Sequence, residues 1–357
     1  VAGLETRNSS IQTDTIVAGP GQDPRFFSTG MITVINQNGF LELDQRDVGV
    51  FTQLAYKPLD DLKIVAGGRV DNNDVKQTGG YGTAFNPRLA VIYTPGNFAF
   101  KSIYAEAFKD PSNAERFGDL PGLIEVRNAD LESERVSSIE LSAGWQPEKG
   151  GSVDMAIYEA SYSNVVVLNR VPNTAGSEGV VLGETFRREN LGMLRARGVQ
   201  LNASYAFRRF DFFGNYTYTD AVNTNPSSID PSVTASSVRV GDIANHRVNL
   251  GVNVLLWNRL NANFRVNYVG DRKTGEGTTV STNPNDVIDS YLVSHVVLTY
   301  EDAFRIFGNL RGSAQIIVNN VFDTDYYHPG VGAAGRLFAA RLPQPGRSVF
   351  LRISLDF

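Results

Sequence analysis

Cysteine is absent from this chain of 357 residues, and histidine and methionine occur only three times each. Without thiols there is no disulfide framework, no thiolate nucleophile and no cysteine-based metal site. Lysine and arginine (33) are outnumbered by aspartate and glutamate (38), for a net charge of -5. No basic stripe is left to neutralise a phosphate backbone, which argues against nucleic acid as a partner. Nowhere do about 18 apolar residues run together, so a transmembrane helix is excluded. No nucleophile with a base and an orienter, no GxSxG elbow and no phosphate-cradling glycine loop is found, so neither an enzyme nor a cofactor is expected. No signal peptide opens the chain, and Val1 is expected to begin partway through a processed protein or a fragment. What the chain does have is glycine (34), phenylalanine (21) and tyrosine (14), a β-rich and aromatic-rich composition.

The closing stretch, GRSVFLRISLDF, shows how these residues are used. Val349, Leu351, Ile353, Leu355 and Phe357 fall on one alternate set; Ser348, Arg352, Ser354 and Asp356 dominate the other. Side chains of a strand alternate between faces, so this strand has one apolar wall and one wet wall. It stops on an aromatic residue with no polar tail, as expected for the closing strand of an outer-membrane β-barrel.

The same rhythm runs through the chain. VGVFTQLAY and LKIVAGGRV alternate across the tight turn PLDD; FNPRLAVIY and FAFKSIYAEAF follow; then ERVSSIELSAGW, GSVDMAIYEASYSN, RARGVQLNASYAF and FDFFGNYTYTD. In RLNANFRVNYVG, Leu260, Ala262, Phe264, Val266 and Tyr268 oppose Asn261, Asn263, Arg265 and Asn267. A buried sandwich or propeller face does not call for Asn, Asn, Arg, Asn, whereas a water-filled lumen does. Short turns and long polar loops alternate, so the reading is all-β: a transmembrane, antiparallel, up-and-down barrel of which roughly fourteen strands are visible. Many are longer than the ~9 to 11 residues that cross a bilayer at a tilt, so they are expected to project beyond it. Two places resist. The apolar phase moves from Val153, Met155 and Ile157 to Tyr158, Ala160 and Tyr162, which predicts a bulge there; and both faces of 291–300 are largely apolar, leaving its register open.

Several pieces together resemble the barrel of TonB-dependent outer-membrane receptors: VGVFTQLAYKPLDDLKIVAGGRVD, FNPRLAVIYTP with YAEAFKDPS, NADLESERVSSIELSAGW, ENLGMLRARGVQLNASY, VNNVFDTDYY and PGRSVFLRISLDF. They occur in that order over nearly the whole chain. The resemblance implies a barrel of about 22 strands around a plug, inserted in the bacterial outer membrane by the barrel assembly machinery. It implies active import of a scarce nutrient, a ferric siderophore by family prevalence. It also implies coupling to an inner-membrane TonB-type protein through an N-terminal segment. On this reading residues 1–357 are the C-terminal portion of the barrel, and the plug, the coupling segment and the first strands have no counterpart. A porin-like diffusion channel is the alternative.

Candidate site residues follow from this frame. Tyr326, Tyr327 and His328 in the last long loop, with Phe117 and Arg127 in the loop 110–134, suit capture of a flat, charged iron chelate or similar small ligand. Arg69, Arg88, Arg265, Arg311 and Arg352 fall in the lumen phase; they line the wall or pair with carboxylates such as Glu140 and Asp211. Trp145, Phe207, Phe210, Trp257, Tyr300 and Phe357 belong to the aromatic girdle in contact with outer-membrane lipid. No residues have metal-ligand spacing, and the mixed charges of loop 110–134 lack the regular oxygen pattern of a calcium site.

Overall fold

The structure is a computed structural model and describes residues 1–13, 41–75, 80–112, 115–116, 124–126, 128, 130–148, 150–171, 185–225, 235–274, 287–306, 310–330 and 341–356. In chain order the strands are β1 (Ala2–Thr13), β2 (Leu41–Leu59), β3 (Leu62–Val75), β4 (Gly82–Tyr93), β5 (Phe98–Lys109), β6 (Ile124–Val126), β7 (Glu134–Trp145), β8 (Gly151–Val171), β9 (Thr185–Phe207) and β10 (Phe210–Asn223). They continue as β11 (Val238–Arg239), β12 (His246–Trp257), β13 (Leu260–Val269), β14 (Arg272–Lys273), β15 (Val287–Ile288), β16 (Tyr291–Ile306), β17 (Leu310–Asn319), β18 (Tyr327–Pro329), β19 (Arg341–Pro343) and β20 (Ser348–Asp356).

The main sheet runs β1-β2-β3-β4-β5-β7-β8-β9-β10-β12-β13-β16-β17-β20, a meander of fourteen long strands in which each pairs with the next. β6 lies parallel to β9, β11 pairs with β10, and β14-β15 and β18-β19 form separate ribbons. The connections at 60–61, 94–97, 146–150, 208–209 and 258–259 share one rim; the connections at 110–133, 224–245, 270–290 and 320–347 share the other. The strands are long, with 19, 21 and 23 residues in β2, β8 and β9. At about 3.3 Å per residue they rise well beyond a hydrocarbon layer on the long-connection side.

Cross-strand register collects the alternating residues into continuous faces. One row reads Met155, Leu201, Tyr216, Val248, Tyr268, Leu292 across six strands. One residue along each strand, the next row reads Asp154, Asn202, Asn215, Asn249, Asn267. Here the side-chain amide of Asn249 donates to Asn215 at 2.7 Å and that of Asn267 donates to Asn249. Side-chain hydrogen bonds thus follow the ladder in this wet row, while the row of Met155 and Leu201 beside it is made of hydrocarbon chains and rings.

No second layer covers either face of the sheet among the described residues. Buried apolar residues are few and mostly small, Ala84, Ala90, Ala221 and Ala244 among them, while Leu54 (71% exposed), Leu351 (70%) and Trp257 (75%) stand open. Phe264 and Leu201 are exposed as well. In water this arrangement forfeits about 25 cal/mol for every Å² of apolar surface left uncovered. Hydrocarbon is the solvent that suits it, and a sandwich or propeller, each needing a dry core, does not fit.

Close backbone approach is met by glycine. A Cβ on Gly198 would lie 2.1 Å from the Tyr218 carbonyl oxygen and 2.9 Å from Cζ of Tyr158. With hydrogen there, the Tyr158 ring lies over Gly198 and its hydroxyl reaches Thr219 Oγ1 at 3.0 Å. Phe213 lies over Gly251 in the same manner.

The expected bulge at 157–158 is not present. Register runs unbroken from Trp145 opposite Val153 to Arg135 opposite Ser163. The irregularity comes later, between Tyr162 and Val166, where Asn164 takes a φ of 55°. The apolar phase moves because Glu159, Arg197 and Asp220 take over the outward row above the apolar band, with Arg197 and Asp220 paired at 3.0 Å. The open register of 291–300 is set by its neighbour, from Val269 opposite Tyr291 to Leu260 opposite Tyr300.

Candidate functional site

On the long-connection rim, the strands β12 to β17 carry a cluster of rings and guanidinium groups. Tyr291 opens β16 in the wet phase, two residues before Val293, which pairs with Asn267. The chain returns to it after β17 through a turn built on Asn320. This residue is buried at a φ of 48°, its side-chain amide donating to the Thr324 carbonyl at 2.8 Å and its Oδ1 accepting from the Thr324 N–H at 2.9 Å. Asparagine tolerates the left-handed conformation and bonds its own turn, which fixes where Tyr326 leaves it.

Tyr291, Tyr326 and His328 then form a ring triangle, with centroids 4.7 Å apart for Tyr291–Tyr326, 6.0 Å for Tyr291–His328 and 5.8 Å for Tyr326–His328. Tyr291 Oη and His328 Nε2 are hydrogen bonded at 3.2 Å. Arg272 of β14 sits under the triangle: its Cζ lies 5.6 Å from the Tyr291 ring centroid and its Nη2 donates to the Tyr327 carbonyl at 3.0 Å. Arg341 of β19 covers the Tyr327 ring at 4.6 Å. Cation–π contacts of this kind contribute about 0.5–2 kcal/mol each, more as water is excluded. Burial lowers the pKa of His328 from its ordinary value, and Arg272 adds to the effect, so the imidazole is neutral at pH 7. Burial also raises the Asp242 carboxyl, opposed by Arg272.

Of the ligand-binding residues expected from the sequence, Tyr326, Tyr327 and His328 come together here, the last two in ribbon β18-β19 rather than in an irregular loop. Phe117 and Arg127 lie outside the described residues, as does Phe357. Sequence reasoning missed Tyr291, which joins the cluster to the main sheet, and Arg272, which joins it to ribbon β14-β15. The phase of Tyr291 is set only by its pairing with Val269, which no local pattern shows.

The lumen-phase arginines are dispersed. Arg69 is held by Asp71 at 2.7 Å and Glu5 at 3.1 Å, in space left by Gly49. Arg265 donates from Nε to Asn263 Oδ1 at 2.8 Å. Arg88 stands opposite Gly67 and Ala105, Arg352 opposite Gln315, and the Arg311 backbone opposite Arg305 and Asp356. Glu140 and Asp211, named as carboxylate partners, stand opposite Tyr158 and Asn253. Trp145, Phe207, Phe210, Trp257 and Tyr300 all adjoin short turns in the apolar phase, with Phe207 opposite Phe210 and Tyr300 opposite Leu260.

A second wet cluster lies over β2 to β5. Asn73 donates to Asp47 at 2.6 Å, and Arg116, 4% exposed, holds Asp110 at 2.6 Å. Burial, together with Asp71, Asp47 and Asp110, raises Tyr81 to about 12. Asp71 is paired with Arg69 and Asp110 with Arg116, while Asp47 is held by the side-chain amides of Asn73 and Gln45. No group of three or more His, Cys, Asp or Glu able to hold a metal ion occurs among the described residues.

One curved meander with an apolar outer band, aromatic residues at the short-turn rim and a polar opposite face defines a transmembrane β-barrel of the outer-membrane kind. The family model described as TonB dependent receptor-like, beta-barrel, matches residues 4–321. The chain belongs to this family of TonB-dependent receptors, whose members are transporters and receptors that cross the outer membrane by strands. No curated protein sequence matches.

Solved structures share the fold. A mutant of the ferric enterobactin receptor PfeA from Pseudomonas aeruginosa superposes with a TM-score of 0.70 at 17% identity, covering 99% of this chain and 50% of that one. The FrpB iron transporter from Neisseria meningitidis gives 0.64 at 18% identity, with 88% and 45% covered. The siderophore receptor PirA from Acinetobacter baumannii gives 0.65 at 16%, with 99% and 52% covered. The chain therefore spans about half the length of the structures it matches. In the family's setting the apolar face meets lipid and the Asn-rich face lines the lumen.

Proposed function

We propose that this chain is the C-terminal part of the barrel wall of a receptor that imports a scarce nutrient, a ferric siderophore, through the outer membrane. Import is driven by an inner-membrane TonB-type protein acting on a plug and coupling segment of the whole protein. Barrel strands reach the membrane through the assembly machinery, and the long-connection rim faces outward to meet ligand. The observation that carries this reading is the ring and guanidinium cluster of Tyr291, Tyr326, Tyr327, His328, Arg272 and Arg341 at that rim, above the polar face. Partly open rings with fixed cations bind flat, charged solutes, and a lumen lined with amides offers them hydrogen bonds on the way through.

The lumen-phase arginines Arg69, Arg88, Arg265, Arg311 and Arg352 are proposed to face the plug or passing ligand, and the aromatic residues of the short-turn rim to anchor the barrel at the periplasmic interface. The test is uptake of radiolabelled iron presented as defined chelates to a strain lacking the gene and to the complemented strain. Uptake restored by the gene and abolished by a protonophore supports the importer. Uptake indifferent to the protonophore indicates a diffusion channel, and unchanged uptake without the gene removes the proposal.

A further inference from the structure

We infer that the cluster around Arg272 and Tyr291 selects polyanionic, ring-bearing chelates of the catecholate class and rejects neutral, ring-free chelates such as trihydroxamates. The inference rests on the reading of this rim as the ligand-facing one and deepens it. Its first support is an imbalance of charge. Elsewhere on the long-connection rim Arg116 pairs with Asp110, Arg197 with Asp220 and Arg239 with Asp271. Arg272 and Arg341 have no such ion pair among the described residues. Arg272 contacts a carbonyl and a ring, and Arg341 contacts a ring. Arg247 stands close enough to Arg272 to repel its charge, and among the described residues Asp242 is the carboxylate that offsets it.

The second support is an unpartnered donor. Arg272 is 6% exposed, and among the described residues its Nε, like those of Arg187 and Arg195, has no hydrogen-bond partner. A buried guanidinium without a carboxylate partner costs stability, and an anion seated on the cluster offsets its charge through space. The third is shape. The rings of Tyr291, Tyr326, Tyr327 and His328 are half-buried, each leaving part of its surface open, and His328 is neutral and adds no charge. A catecholate supplies what the cluster lacks: negative oxygens for the guanidinium groups, and a flat ring to stack against tyrosine and arginine planes. A neutral trihydroxamate supplies neither, and would desolvate the arginines without pairing them, the situation in which polar sites discriminate most strongly.

The experiment uses the purified full-length receptor and intrinsic fluorescence quenching. The two probes are the ferric complex of a synthetic tris-catecholate, which is trianionic, and that of a linear trihydroxamate, which is neutral. The expected result is at least about tenfold tighter binding of the tris-catecholate. R341Q and Y326A should each weaken that binding about tenfold, while R208Q on the opposite rim should have no effect. Heat-modifiable gel mobility confirms that each variant is folded. Equal affinity for both probes, preference for the trihydroxamate, or tris-catecholate binding untouched by R341Q and Y326A would overturn the inference. Selective binding without protonophore-sensitive uptake would support it while removing the importer proposal, so the two fail separately.

Discussion

Arg272 donates to the carbonyl oxygen of Tyr327 at 3.0 Å across 55 residues of sequence, tying ribbon β14-β15 to ribbon β18-β19. Replacing it with glutamine, R272Q, leaves that carbonyl without its charged donor and removes the contact under Tyr291. The expected cost is about 1–3 kcal/mol, felt locally. Amide exchange in Tyr327–Pro329 and Arg341–Pro343 should accelerate accordingly, with β9 and β10 unaffected. Unchanged exchange in the ribbon would show that Arg272 does not hold it.

His328 gives the same ribbon a pH dependence. Its pKa in the folded protein lies below the ordinary value of about 6.5, through burial and then Arg272. A depressed value means the unfolded segment takes up the proton more readily. The stability it confers is full above about pH 6.5 and is lost as pH falls through the lower, folded value. Exchange protection of β18-β19, corrected for intrinsic rates, should therefore decline on acidification, and H328Q should abolish the decline. A decline that persists in H328Q would assign it to another group.

The glycine beneath Tyr158 makes a separate prediction. In G198V the new side chain meets the Tyr218 carbonyl, which belongs to the ladder and cannot swing away. Overpacking of this sort costs about 1–3 kcal/mol. The barrel should unfold at lower denaturant concentration in detergent, and the paired variant Y158A should not relieve the effect, because the nearer obstacle is backbone.

Charge on the two faces should have opposite consequences. L201R puts a guanidinium in the apolar row and should cost about 2–4 kcal/mol in a bilayer. N202R, one residue along on the Asn-lined face, should be nearly neutral. Equal penalties in lipid-reconstituted unfolding would mean that the two faces share one environment.

Strand placement was legible from sequence where the two faces meet different solvents, because only there does polarity alternate. It faded beyond the apolar band. TFRRENLGML forms the outer half of β9, yet it shows no period of two, since both its faces are wet. The stretch Val153 to Tyr162 misled for the same reason, with Glu159 outward where an apolar residue was due: a change of solvent along an unbroken strand imitates a slip of register. At the site, the adjacency of Tyr326, Tyr327 and His328 was visible in the sequence. Tyr291 and Arg272 were not, because they reach the cluster from 37 and 55 residues away, through pairings that no local pattern encodes.

The membrane assignment turns on which solvent each face meets, and because these 357 residues contain no cysteine, a thiol introduced among them has no native competitor within the chain. Single cysteines at 260–268 of the full-length protein, with any cysteine outside these 357 residues replaced by serine, are spin-labelled and reconstituted in bilayers; they report collisions with oxygen, which concentrates in lipid, and with a water-soluble nickel chelate. Oxygen collisions should peak at Ala262, Phe264 and Val266 and fall at Asn261, Asn263, Arg265 and Asn267. A flat profile, or oxygen maxima at the asparagine positions, would contradict the membrane assignment and everything built on it.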